Sequence, residues 1–450
     1  MDEFKASDSL IESQMQNRSL IKPESIDKSR VVVPDYDFFA NLTPETPFQI
    51  IADKMIEFRG SVSAHDFENC ENSKAAVQKF MEIVGSNEYP PNIIPTAFTL
   101  IALCSNSKNL DYSLIYFDEF MDFLFDVLFT AKNQQIRLSI LQILINLVYL
   151  NHQIANDFFQ KIDWEQFSNL PDAESKIFNE SISCFIFTLL YYSNVPSPAH
   201  FDAILLVYLQ IFNTNVFDIK FLISLRCFIR KSKKIIKENK ISLQNLVIRT
   251  NALLQPFNQE ISIYALQFLA SLTWNNDIIF ANFDFIIKSC RNPENKISIA
   301  ALMFMMKYFD KFFEQKIEIP NSILEGIQSS DLIESVINNL LQSKFESKIP
   351  CIHIWRHMIR IGLNGINKKM IDQDIFDTLI SLLPECKSVT QIYVMQILLD
   401  LIHFAKTKNL IDNISIEGIQ EDLDSMFDSC QLIPDFNELV QIVQELLPDE

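Results

Sequence analysis

The sequence predicts an all-α solenoid of about eight helical repeats with a period near 42 residues. Three observations carry this reading: an apolar motif that recurs at that period, prolines gathered between the apolar stretches, and a shortage of glycine. The clearest copies of the motif are Leu141–Leu147 (LQILINL), Leu266–Leu272 (LQFLASL) and Met395–Leu401 (MQILLDL), which begin 125 and 129 residues apart, about three periods each time. Weaker copies of the same apolar triplet, at i, i+3 and i+6, begin at Phe98, Cys184, Leu222, Leu302 and Ile352. The eight starts are then spaced 43, 43, 38, 44, 36, 50 and 43 residues apart. Apolar residues at that spacing line one side of a helix. A fixed period of this length marks stacked units rather than one closed core.

The second observation is where the turn signals fall. Pro90-Pro91, Pro171-Asp172, Pro196-Ser197-Pro198, Pro256, Asn292-Pro293, Pro320-Asn321, Pro350 and Pro384 lie between the apolar stretches, which sets prolines at helix edges. The third is the count of six glycines in 450 residues, against ~7% in ordinary proteins. Phosphate-cradling loops and tight hairpins need backbone at positive φ, which glycine supplies, so nucleotide-binding α/β folds and most β-sandwiches are disfavoured. Thirty-eight phenylalanines and 48% hydrophobic residues supply apolar surface for stacked helices such as Phe117–Phe129, each ring burying ~150–250 Å².

In chain order, residues 1–45 are mostly polar and read as a flexible tail. The stretch Thr43-Pro44-Glu45-Thr46-Pro47 then leads into a first helix near Gln49–Phe58. Its two Thr-Pro steps read as helix-start prolines or as kinase sites. Residues 46–411 form the repeat domain. Within it Asp118, Asp122 and Asp126 share one helix face and, with no histidine near them, read as a solvated acidic face. The segment 412–450 carries two short amphipathic stretches, Ile416–Cys430 and Asp435–Leu447. Eleven acids and no Lys or Arg lie between Asn409 and Glu450. That end reads either as the polar-faced cap a solenoid needs for solubility or as an acidic tail that docks on a basic surface.

One basic stripe stands out against a net charge of −19. Arg226, Arg230, Lys231, Lys233, Lys234, Lys237 and Lys240 fall within fifteen residues that hold one acid, Glu238. At 100° per residue Arg226, Arg230, Lys233 and Lys237 cluster on one side of a helix, with Phe228 and Ile235 opposite. The stripe reads as a solvated helix face, a docking site for an acidic or phosphorylated segment or a phosphoinositide headgroup, or a nuclear localisation run. The acidic background opposes nucleic acid, and no exposed aromatic residues are expected to interleave with the stripe, Phe228 falling on the opposite face.

Chemistry-bearing patterns are sparse. Cys351, His353 and His357 are the one cluster of metal-ligand types, but Cys351 lies far round the helix from His357 and no zincin glutamate follows His353; a packed histidine pair beside Trp355 is expected. The eight cysteines (70, 104, 184, 227, 290, 351, 386 and 430) lack any Cys-x-x-Cys spacing and read as reduced, packed thiols. Met1-Asp2-Glu3-Phe4 opens no apolar signal region, and the apolar runs are shorter than the ~20 residues of a membrane span. The expectation is a non-enzymatic protein without cofactor or metal, in the cytoplasm, the nucleus or both.

Over residues 75–411 the period and the paired helical stretches Ile136–Asn156 and Glu260–Asp277 resemble the armadillo/HEAT superfamily. That resemblance implies a superhelix that binds protein segments along its surface. Among armadillo proteins the nuclear import adaptors are similar in plan: eight to ten repeats and an acidic C-terminal region. Their inner helices carry a tryptophan followed four residues later by an asparagine. In the corresponding frame this chain has Gln142/Asn146, Gln267/Ser271 and Gln396/Asp400; the tryptophan is absent and the asparagine survives once. The resemblance implies that these pairs face a groove and contact peptide. The expected function is therefore a protein-interaction scaffold or adaptor for extended or acidic segments. The alternative is a nuclear transport or regulatory subunit whose acidic C-terminal tail competes for the basic stripe.

Overall fold

Short polar side chains set where the helices begin. Asn133, Asp163, Ser175, Asp218, Asn258 and Asn282 each accept a hydrogen bond from a first-turn backbone N–H, satisfying donors that the helix leaves open. Pro198 occupies the first residue of its helix, where its missing N–H costs nothing. The computed structural model describes residues 34–64, 71–193, 197–255, 258–291, 296–315, 325, 332–342, 345–360, 365–371, 375–386, 388–410, 416–425 and 434–445. Among the described residues there are α- and 3₁₀-helices and no strands.

The chain divides into two compact units, Met1–Ile241 and Ser242–Glu450. The first holds α1 (Tyr36–Ala40), α2 (Phe48–Ala64), α3 (Glu71–Gly85), α4 (Ile94–Ser105), α5 (Asp118–Thr130), α6 (Gln134–Leu150), α7 (Ile154–Lys161), α8 (Trp164–Ser168), α9 (Lys176–Tyr192), α10 (Pro198–Thr214), α11 (Ile219–Lys231) and α12 (Lys233–Glu238). The second holds α13 (Gln244–Asn251), α14 (Gln259–Ser271), α15 (Phe283–Ser289), α16 (Lys296–Gln315), α17 (Leu332–Gln342), α18 (Phe345–Arg360), α19 (Gly365–Ile371), α20 (Phe376–Leu382), α21 (Ser388–Lys408), α22 (Ile416–Ser425) and α23 (Pro434–Gln444).

The period is visible as a ladder of parallel helices. In the first unit α4 packs on α6, α6 on α9 and α9 on α11. Near the starts of these helices Thr99 Oγ1 lies 3.2 Å from Ser139 Oγ, the Arg137 guanidinium sits 4.1 Å over the Phe178 ring, and Lys220 pairs with Glu180. Near their ends Asn146 Nδ2 donates to Ser105 Oγ at 3.0 Å, the Tyr149 and Tyr192 rings lie 5.6 Å apart, and Lys231 Nζ donates to the Ser193 carbonyl at 3.5 Å. Starts meet starts and ends meet ends, so the four helices run parallel, each contact spanning about one period of sequence. Two adjacent helices that run parallel need an antiparallel return between them, which α5, α7, α8 and α10 supply. In the second unit α14, α16, α18 and α21 pack in the same serial order.

All eight apolar anchors lie one to a helix on these two ladders. Leu141, Leu266, Leu302, Ile352 and Met395 are fully buried, and Phe98, Leu222 and Cys184 are 1%, 1% and 7% exposed. Each large apolar side chain so placed contributes ~1.5–3 kcal/mol relative to exposure, and that burial exists only because the next repeat covers it. Within each unit the described residues form the all-α stack of helical repeats that the sequence predicts.

Several details depart from the expected plan. Within the stretch read as a tail, α1 packs on α3: Tyr36 and Phe39 meet Phe58 and Phe80 at ring centroids of 4.9–5.5 Å. Residues 1–33 lie outside the described residues. Pro350 falls inside α18 rather than at its edge; the N–H it lacks would have bonded near the start of the helix, so only the first turns lose a bond. The long stretch Ile136–Asn156 is two helices, ended at Leu150 where Asn151 takes extended backbone. At the C-terminal end α22 packs on α20, and α23 on α21 and α22. Ile419, Leu423, Phe436, Leu439 and Val443 are buried there, while Glu421, Asp424, Glu438 and Glu445 are exposed. In their described residues these helices bury an apolar side against their neighbours and expose charged side chains.

Candidate functional site

The basic stripe is built on α11 and α12 and is not one continuous helix. α11 buries Phe221, Leu222, Leu225, Phe228 and Ile229. Ser232, fully buried with φ −87° and ψ 3°, then interrupts it before α12 begins. Ile235 and Ile236 anchor α12 on its inner side. The chain leaves α12 through Lys240 at φ 51°, with Ile241 N–H donating to the Ile236 carbonyl at 3.0 Å and Lys240 N–H to the Lys237 carbonyl at 3.4 Å. This paired arrangement closes a helix with a left-handed residue. Glycine usually fills that place; this glycine-poor chain uses Asn215, Lys240 and Asn409.

The break turns a predicted stripe into an open depression. Arg230, Lys231, Lys233, Lys234, Lys237 and Glu238 line a volume of about 510 Å³. Five cations therefore face one carboxylate, which lies 3.8 Å from Lys234 Nζ. Arg230, Lys233, Lys234 and Lys237 are exposed, whereas Arg226 is half-buried and does not line the depression. Lys231, counted in the stripe on sequence, bridges to the neighbouring helix through Ser193. Cations at the ends of α11 and α12 also suit the partial negative charge there, but that accounts for Arg230, Lys231 and Lys237 and not for Lys233 or Lys234.

The polar pairs take structural positions. Gln142 and Asn146 are 5% and 4% exposed, so they front no groove. Gln142 Nε2 donates to Asn146 Oδ1 at 2.6 Å, and Asn146 Nδ2 donates to the Ala102 carbonyl and Ser105 Oγ, both at 3.0 Å, tying α6 to α4. Gln396 and Asp400 clamp Arg356 across the α18–α21 seam, accepting from its Nε at 2.9 Å and its Nη1 at 3.0 Å. Gln267 is half-buried, and Ser271 Oγ donates to the Phe268 carbonyl of its own helix at 2.6 Å. Sequence placed these residues on the right helices; the partner helix one period away decided what they bond.

The histidine cluster is likewise a tie between repeats. His357, 2% exposed on its side chain, lies 2.7 Å from Asp310 Oδ1 of α16 through Nε2, and His353 Nδ1 is 3.7 Å from the same oxygen. His353 Nε2 is 3.4 Å from Thr390 Oγ1 of α21. Burial alone would raise the Asp310 carboxyl, but the two imidazoles outweigh it and hold the group at about 2. Cys351 is fully buried; burial pushes its thiol up, along with those of Cys184 and Cys290, and takes Cys104 to about 12. Thiols held protonated in this way are poor nucleophiles and ligands. Asp310, His353 and His357 meet as an ion-paired tie, and among the described residues no group of three His, Cys, Asp or Glu side chains is placed to hold a metal ion. Cys70 and Cys430 lie outside them.

The acidic residues Asp118, Asp122 and Asp126 are exposed on α5, with Asp118 paired to Lys161. Among the described residues no helix is long and apolar enough to cross a membrane.

No protein-family model matches the chain, and no curated protein sequence matches it. Among solved structures the chain is similar to an engineered protein, at 13% identity, covering 96% of this chain and 98% of that one with a TM-score of 0.58. It is also similar to a structure from work on a phosphorylation switch between cadherin and β-catenin, at 12% identity and TM-score 0.46, covering 91% of this chain and 99% of that one. Karyopherin Kap121p bound to Nup53p is similar at 13% identity and TM-score 0.41, with 96% of this chain and 46% of that chain covered. The chain thus spans about half the length of Kap121p. These are likenesses of fold.

Proposed function

We propose that this protein is a non-enzymatic scaffold or adaptor that binds segments of other proteins, and that the depression on α11 and α12 takes an acidic segment. The observation that carries the reading is the convergence of Arg230, Lys231, Lys233, Lys234 and Lys237 on one open volume, in a chain of net charge −19. The net charge of the chain repels an acidic partner, whereas the cations clustered on α11 and α12 attract it, which orients the approach and speeds association. A helical-repeat fold serves this purpose because successive units expose long surfaces without breaking the core. This reading places the protein in the cytoplasm, the nucleus or both.

The alternative is a transport or regulatory subunit whose acidic C-terminal tail competes for the stripe, and a tail that detached α23 to do so would work against the packing of that helix on α21 and α22. Moving α23 would expose Phe436, Leu439 and Val443, each fully buried, at ~1.5–3 kcal/mol per side chain.

The test is fluorescence anisotropy of a labelled Asp/Glu-rich peptide with the full chain. Binding that weakens steeply with salt is expected. Reversing four exposed cations together (Arg230→Glu, Lys233→Glu, Lys234→Glu, Lys237→Glu) should lower affinity at least about tenfold with circular dichroism unchanged. Equal affinity in the reversed variant would retire the stripe as the site.

A further inference from the structure

Beside the cationic depression lies an aromatic ledge that the sequence does not bring near it. It forms where the parallel helices α6 and α9 end. The Tyr192 ring stacks on His152 at 3.8 Å and 19°, meets Tyr149 edge-on at 5.6 Å, and meets Tyr191 edge-on at 5.0 Å. Tyr191 is 38% exposed and His152 is exposed, with Tyr149 and Tyr192 half-buried behind them. Tyr191 also stacks on Phe187 at 5.7 Å and 27°, and keeps solvent-exposed surface at the rim. The ledge and the depression adjoin through one side chain. Lys231 lines the depression, and its Nζ donates at 3.5 Å to the carbonyl of Ser193, the residue after Tyr192.

We infer that the two features form one docking surface, and that its occupant is a protein segment carrying an aromatic side chain about three residues from an acidic cluster. The spacing follows from the ladder. Neighbouring helices stand ~8–10 Å apart, so the end of α9 and the end of α11 are separated by that distance. An extended peptide advances ~3.3 Å per residue, which sets the aromatic residue about three positions from the acids. The charge argues for a peptide over a single-stranded nucleic acid. A nucleic acid strand needs a cationic track along its backbone, whereas this depression is a compact cluster bounded by an acidic chain. An aromatic side chain on the peptide meets Tyr191, at the end of α9, edge-on or offset, the arrangement rings prefer; His152 follows α6, one helix further from the acids, and backs the ledge through Tyr192.

This inference rests on the acidic-segment reading above and refines it. The experiment uses the full chain and labelled peptides with four glutamates and one tryptophan placed from one to seven residues away, on either side, beside a peptide with alanine instead. The expected result is that every acidic peptide binds, that the tryptophan strengthens binding about three- to tenfold, and that the gain peaks near a three-residue spacing. Tyr191→Ala with His152→Ala should abolish the gain and leave the alanine peptide's affinity unchanged, while Tyr191→Phe keeps it. A tryptophan gain that is absent, indifferent to spacing, or intact in the double variant overturns the composite site while the acidic-segment reading stands. If no acidic peptide binds at all, both readings fall together. A single-stranded oligonucleotide of equal charge that binds more tightly than the best peptide overturns the assignment of a protein occupant.

Discussion

Asn146→Ala tests whether the i, i+4 polar pair of the α6 repeat is a groove contact or a tie inside the core. Asn146 accepts one hydrogen bond from Gln142 and donates two, to the Ala102 carbonyl and to Ser105 Oγ, all in a region 5% exposed or less. Three bonds at roughly 1 kcal/mol each, with buried polar groups left short of a partner, put the loss at ~2–4 kcal/mol. The Ala102 carbonyl keeps one donor, Ser105 Oγ at 2.8 Å, which holds the figure below a full desolvation penalty. For a unit of this size ~3 kcal/mol corresponds to about 6–12 °C in melting temperature. Calorimetry reads the shift, and hydrogen exchange followed by mass spectrometry locates it: protection should fall in residues 94–105 and 134–150. Replacing both partners (Gln142→Leu with Asn146→Leu) should cost less than Asn146→Ala alone, because no polar partner is then stranded between them. A melting temperature within about 1 °C of the parent, with protection in α4 unchanged, would show that the amide faces water and that the repeats are held together differently.

Other outcomes follow from the same contacts. The Asp310 carboxyl is held at about 2 by His353 and His357, below the ~3.9 of an unfolded chain; its stabilisation is complete above ~4 and is lost as pH falls towards 2. Asp310→Asn should therefore flatten the acid side of a melting-temperature profile between pH 4 and 2, and an unchanged slope would refute the tie. Lys240 sits at φ 51° where a side chain costs ~1 kcal/mol; Lys240→Gly should leave the fold intact and raise or hold the urea midpoint, whereas Lys240→Val should lower it. The charge-reversed stripe and the spaced tryptophan peptides supply the functional outcomes described above.

The sequence by itself determined the repeat. Its eight apolar anchors fall one to a helix and all are buried, because a helix that must be covered on one side by its neighbour keeps a 3.6-residue apolar pattern whatever else changes. The same local logic placed Pro198 and Pro434 at helix starts and gathered the cations of α11 and α12 in one stretch. Pairings one period away were not legible, since no single-helix pattern says which residue of the next helix stands opposite. Gln142 and Asn146 looked like groove residues until Ala102 and Ser105 met them; Gln396 and Asp400 until Arg356 did. The break at Ser232 and the aromatic ledge at Tyr191 were decided by tertiary structure for the same reason. Parallel stacking sets side by side the ends of helices that lie about forty residues apart in the chain, and surface chemistry is made at those junctions.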